Sequence, residues 1–154
     1  MTGRVLAIER RQLRWIGNLC VTFRNMIEEF PSLRVLVVDD ERLIRWSIAE
    51  ILSHAGHTVV EAENGAAAVR ALTADGPIDA VFLDFRLPDS DDLNLLATIR
   101  RLAPNSPVIL MTAYGSPEVT SGAIELGVYQ VMSKPFELHD LPPLLMKAYL
   151  ARPS

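Results

Sequence analysis

Arg34-Val35-Leu36-Val37-Val38-Asp39-Asp40 is the stretch that decides the fold: after Arg34 a short apolar run continues without a polar break and stops at two adjacent carboxylates. Strict alternation would mark a strand with one wet face. A continuous run reads instead as a strand covered on both faces, the situation of a parallel sheet. Three later runs repeat the design, with 80–83 ending at Asp84, 108–111 at Thr112 and 129–133 at Lys134. Ligands of an open parallel sheet bind outside the carboxyl ends of its strands. One sheet edge is therefore expected to gather three carboxylates, a hydroxyl and an ammonium.

Between these runs the chain reads as helix. The first helix is expected over 41–54, with Asp40 as its N-cap and Gly56 just past its end. A second strand over 58–61 precedes an alanine-rich helix over 65–74. The third helix is placed at 91–102, with acids in its first turn where the helix dipole favours them. The fourth spans 117–126 and stops at Gly127, and the last strand is set at 129–132. A fifth helix starts near Leu138, and Pro142-Pro143 are tolerable only in a first turn. Five βα units with right-handed crossovers give a flavodoxin-like (βα)5 doubly wound parallel sheet. A strand order of 2-1-3-4-5 makes strands 1, 3, 4 and 5 neighbours, and these are the four that end in the polar residues.

Composition sets bounds on function. At 154 residues with net charge −4, the chain suits one domain with a real core and disfavours a dominant nucleic-acid surface. No apolar stretch approaches the roughly 20 residues of a membrane span, and no signal peptide is evident. A single cysteine, Cys20, precludes an internal disulfide, so a cytoplasmic protein with no membrane contact is expected. Lysine occurs only at 134 and 147, which makes a lysine at a strand end more telling than usual.

Three carboxylates held close together repel one another unless a cation intervenes or one of them is protonated. Hard oxygen ligands with open positions suit Mg²⁺, which often shares its shell with phosphate. A carboxylate can also attack phosphorus to give an aspartyl-phosphate. Lys134 could then neutralise phosphoryl charge, and Thr112 could donate a hydrogen bond to a phosphoryl oxygen. Each residue alone has a plainer account: Asp40 as a helix cap, Asp84 as a loop acid, Thr112 as an ordinary strand residue, Lys134 as a solvated surface cation. Their joint occurrence at strand ends is what favours the chemistry. His54, His57 and His139 show no ligand spacing and read as surface or packing residues; Trp46 and Phe136 read as core.

The motifs Val37-Val38-Asp39-Asp40-Glu41, Leu83-Asp84 with Pro88 four residues on, Met111-Thr112-Ala113 and Lys134-Pro135-Phe136 resemble the response-regulator receiver domain of two-component signalling. The resemblance covers about 33–150, and 111–136 looks most like receivers of the nitrogen-regulation type. It implies that Asp84 accepts a phosphoryl group from a sensor histidine kinase or a phosphotransfer protein. It implies that Asp40 and Asp84 bind Mg²⁺ directly, Asp39 through water, and the Arg86 backbone carbonyl as a further ligand. Thr112 and the Ala113 amide then hold the phosphoryl group opposite Lys134, with the Lys134–Pro135 bond cis. Such a domain is a phosphoaccepting switch and not an enzyme, and it signals by a conformational shift to a separate downstream protein.

Departures from the family pattern sharpen the expectations. The aromatic residue usually found three positions before the lysine is Val131 here, and Tyr129 lies on the same face two residues earlier. Asp92 replaces a glycine common after the Pro88 loop, removing freedom for positive φ. Arg86 and Tyr114 are bulky enough to shield an attacking water, which predicts slow autodephosphorylation. Two competing functions stay in view: a phosphate-independent scaffold of receiver shape, and an aspartyl-phosphate phosphatase. The phosphatase usually needs an acid two residues after the nucleophile, where this chain has Arg86.

Residues 1–32 lie outside the resemblance and read as an amphipathic helical extension. Leu13, Ile16, Cys20, Phe23, Ile27 and Phe30 follow an a/d spacing, which fits a helix packed on its own domain or a homodimer contact through 6–30. The domain plan is thus extension 1–32, receiver 33–150 and tail 151–154. No output motif follows the fifth helix in this sequence, so another protein is expected to supply the response.

Overall fold

A computed structural model describes residues 31–74 and 76–153. The extension over 1–32, with its candidate dimer stripe, lies outside the described residues apart from Pro31 and Ser32. From Ser32 onward the chain forms one unit. Five strands, β1 (Arg34–Val38), β2 (Thr58–Ala62), β3 (Ala80–Asp84), β4 (Val108–Thr112) and β5 (Gln130–Ser133), alternate with five helices. The helices are α1 (Arg42–His54), α2 (Gly65–Thr73), α3 (Asn94–Leu102), α4 (Pro117–Glu125) and α5 (Leu141–Leu150). All strand pairs are parallel, in the order β2-β1-β3-β4-β5. This is the flavodoxin-like order that the polar strand ends required.

Period-two alternation divides the apolar runs between two cores. Val35 and Val37 of β1, Phe82 of β3, and Ile109 and Met111 of β4 pack with Ile48 and Leu52 of α1 and Leu141 and Leu145 of α5. Leu36, Val38, Val81, Leu83 and Leu110 face the other way, onto Ala68 of α2, Leu96 and Ile99 of α3, and Ala123 of α4. Each fully buried aliphatic or Phe side chain contributes roughly 1.5–3 kcal/mol, and β1, β3 and β4 are covered on both faces. The site rests on these three strands.

Several boundaries differ from expectation. Glu41, not Asp40, is the N-cap of α1, and its own side chain makes no capping bond. The Asp39 carboxylate accepts from the Glu41 amide instead at 2.9 Å, so the turn after β1 is held by the first acid of the pair. α3 begins at Asn94, because Asp92 accepts from the Asn94 amide and side chain and keeps the preceding acids in a turn. No described residue other than glycine has positive φ, so Asp92 sits in its turn with ordinary backbone geometry. A 3₁₀ turn over Leu138–Asp140 precedes α5, and both prolines fall in the first turn of α5, where their missing N–H groups are harmless. Gly56 and Gly127 close α1 and α4 with positive φ. Trp46 is not core: it is 54% exposed on α1, whereas Phe136 packs against the first core.

Candidate functional site

Four strand ends meet at one edge. Asp39 follows β1, Asp84 ends β3, Thr112 ends β4, and Lys134 follows β5. The pairing registers Val38 with Leu83, Asp84 with Met111, and Thr112 with Ser133, which aligns the functional ends side by side. The Lys134 amide donates to the Thr112 carbonyl at 2.8 Å, extending the ladder by one residue so that the lysine turns back over the edge. The Lys134–Pro135 bond is cis, as the family resemblance implies.

The carboxylates converge. One oxygen each from Asp39, Asp40 and Asp84 lies within 4.8 Å of the others. Asp39 is fully buried, Asp84 is 6% exposed, and Asp40 is exposed at the rim. The Lys134 ammonium stands 2.7 Å from Asp39 Oδ2 and 3.3 Å from Asp84 Oδ2, with Glu41 more distant at 3.8 Å. Arg45 on α1 supports the rim, donating to the Asp39 carbonyl at 2.7 Å while its Nε meets Glu61 at 3.1 Å.

Electrostatics single out Asp84. Burial and the facing charge of Asp39 push its carboxyl up to about 6, although Lys134 and a hydrogen bond from the Arg86 backbone pull it down. Burial also acts against the Lys134 ammonium, yet its hydrogen bonds and attraction to Asp39 and Asp84 win and hold it above its usual value. One cation is thus shared between two buried anions, and the remaining negative charge is uncompensated by any described residue of the cluster. That donor set, all hard oxygen with an exposed rim, fits a divalent cation.

Thr112 is buried, and its Oγ1 accepts from the Tyr114 amide at 3.2 Å. Ala113 lies between them on an exposed turn. The Arg86 guanidinium sits over the Tyr114 ring at 5.8 Å, so two long side chains from different loops meet beside the site. Val131 is partly buried in the second core, while Tyr129 is 40% exposed and does not take its place. His54 and His139 are exposed, and His57 is partly buried with Nδ1 accepting from the Leu33 amide, so none joins the site.

Residues 35–145 match the family described as the response regulator receiver domain. The chain belongs to that family. The receiver is 37% identical over 114 residues to the DNA-binding transcriptional regulator NtrC of Escherichia coli, covering 74% of this chain and 24% of that protein. It therefore spans about a quarter of the length of that relative. It is 32% identical over 114 residues to sporulation initiation phosphotransferase F of Bacillus subtilis, covering 74% of this chain and 91% of that one. Among solved structures, the receiver domain of NtrX from Brucella abortus is 35% identical with a TM-score of 0.69, covering 76% and 98% of the two chains. Receivers are phosphoaccepting signalling modules, not enzymes that turn over a substrate. No helix among the described residues is long and apolar enough to cross a membrane.

Two supporting residues escape a reading of strand ends. Arg45 holds the backbone of Asp39, and Asp89 reaches from the β3–α3 loop to α2. An arginine at helical spacing and an acid after proline carry only ordinary signals for a solvated helix face and a turn. Nothing local names their partners.

Proposed function

We propose that Asp84 accepts a phosphoryl group from the phosphohistidine of a sensor histidine kinase or phosphotransfer protein, and that the phosphorylated receiver signals to a separate downstream protein. The observation that carries this reading is the placement of Lys134, within 3.3 Å of both Asp39 and Asp84 across an otherwise anionic pocket. A carboxylate oxygen of Asp84 attacks phosphorus; the new O–P bond forms as the P–N bond breaks, and the imidazole leaves with that electron pair. Lys134 meets the transferred charge on one side, and the Thr112 hydroxyl with the Ala113 amide meets it on the other. Asp39, Asp40, Asp84 and the Arg86 carbonyl form the ligand set for Mg²⁺, which when bound neutralises charge and orients the phosphoryl oxygens. Asp84 must be ionised to act, and a carboxyl near 6 is ionised at neutral pH.

The test is incubation of the full chain with Mg²⁺ and acetyl phosphate beside Asp84→Asn, followed by intact mass. A one-phosphate adduct lost in the variant and in EDTA is expected. A folded wild-type chain that takes up neither phosphate nor beryllofluoride would favour the phosphate-independent scaffold instead. The extension over 1–32 is read as an amphipathic helix that packs on its own domain or joins two copies through 6–30, and removal of 1–30 with no change in oligomeric state would count against the homodimer.

A further inference from the structure

The loop joining β3 to α3 is held from three directions. Leu87 and Ser90 exchange both backbone hydrogen bonds, at 2.8 and 3.2 Å, which closes a tight turn around Pro88 and Asp89. Leu93 leans on α4 at Gly122, where an added Cβ would push its Cδ1 aside. Asp89 supplies the third hold. Its two carboxylate oxygens accept separately from the Gly65 amide at 2.7 Å and the Ala66 amide at 3.0 Å. Those amides open α2 and have no partner within the helix. α2 already has its own cap, Asn64, which accepts from the Ala67 amide at 2.8 Å. Asn64 reaches only the Ala67 amide, so the two amides before it take their partner from a distant loop. Gly65 is also fitted to it: an added Cβ would lie 3.2 Å from Asp89 Oδ1.

What the clamp holds is the segment that begins at the phosphoacceptor. Asp84, Arg86 and Asp89 share one short loop, and the Arg86 backbone hydrogen bonds to the Asp84 carboxylate. We propose that Asp89 is a positioning residue of the phosphoacceptor site: by straddling the Gly65 and Ala66 amides it fixes the β3–α3 loop and so holds the Arg86 backbone against Asp84. The inference rests on the reading of Asp84 as the phosphoacceptor. Supporting groups behind a ligand set commonly change metal affinity by about tenfold or more.

The experiment compares Asp89→Asn with Asn64→Ala in the full chain. Asparagine keeps the shape but points an NH₂ group at one of the two amides; the alanine variant removes only the native cap of the same helix. Mg²⁺ affinity is read by calorimetry, the rate of adduct formation by intact mass, and the Arg86 amide by ¹H–¹⁵N NMR. Asp89→Asn is expected to weaken Mg²⁺ binding and slow adduct formation by roughly tenfold and to shift the Arg86 resonance. Asn64→Ala is expected to lower thermal stability while leaving all three near wild type. Gly65→Ala, which crowds the same carboxylate, is expected to move them in the direction of Asp89→Asn. Equal, small effects from Asp89→Asn and Asn64→Ala would make Asp89 a helix cap only and overturn the proposal. If the wild-type chain itself forms no adduct, the reading beneath it fails first, and the proposal falls with it.

Discussion

The two edges of the sheet are built on opposite principles. At the edge where the strands begin, polar groups of neighbouring segments pair with one another. Ser32 donates to the Gly56 carbonyl, the Leu33 amide to His57, and the Arg34 amide to Asp79, whose own amide returns a bond to the Arg34 carbonyl. At the edge where the strands end, Asp39, Asp40 and Asp84 crowd together with one ammonium between them. The first edge closes the fold. The second stores repulsion that a bound cation can relieve, and the two buried cores supply the stability that tolerates it.

The contrast between the two edges depends most on Lys134. Lys134→Met removes the cation but leaves two carboxylates buried, so a loss of about 3 kcal/mol in denaturant unfolding is expected. Adduct formation from acetyl phosphate should fall by roughly a hundredfold in the same variant. An unchanged midpoint would mean that the two anions are already screened.

Asp84→Asn should do the reverse to stability. Because the Asp84 carboxyl is raised to about 6 in the fold, its contribution is fully present below its unfolded value and is lost as pH rises through 6. In EDTA, Asp84→Asn should therefore be more stable than wild type by about 2 kcal/mol at pH 8, with the gap closing toward pH 4. Added Mg²⁺ should raise the wild-type midpoint and narrow the gap at pH 8. A gap independent of pH would remove the electrostatic account.

The opposite edge gives a smaller effect of opposite sign in pH. Burial lowers His57, so its neutral form is the one the fold prefers. Stability tied to it is present above its unfolded value and lost as pH falls through that value toward the lower folded one. Protonated Nδ1 can no longer accept from Leu33, a loss of about 1 kcal/mol, and His57→Asn should flatten the acid limb of the stability profile. The smallest change is expected at Tyr114→Ala, which uncovers the Arg86 side of the site. Phosphoryl loss, followed by intact mass, should quicken by roughly threefold, well under 1 kcal/mol in barrier. A slower loss would reverse the shielding idea.

The strands, their order and the residues at their ends were legible in the chain alone. Uninterrupted apolar runs can be buried only on both faces of a sheet, and the family motifs sit where those runs stop. The helix stops at Gly56 and Gly127 were equally legible, because positive φ is a local property of glycine. Contacts between distant parts of the chain came from the packing of whole elements. Lys134 and Asp39 are 95 residues apart, and their 2.7 Å contact depends on how β5 is registered against β4. Asp39 took the turn-holding role expected of Asp40, Trp46 went to the surface despite its apolar character, and Asp89 found α2 across 24 residues. Periodicity and capping are written over a few neighbouring residues. Partners across a sheet edge are set by the packing of whole elements, and no local pattern of residues encodes them.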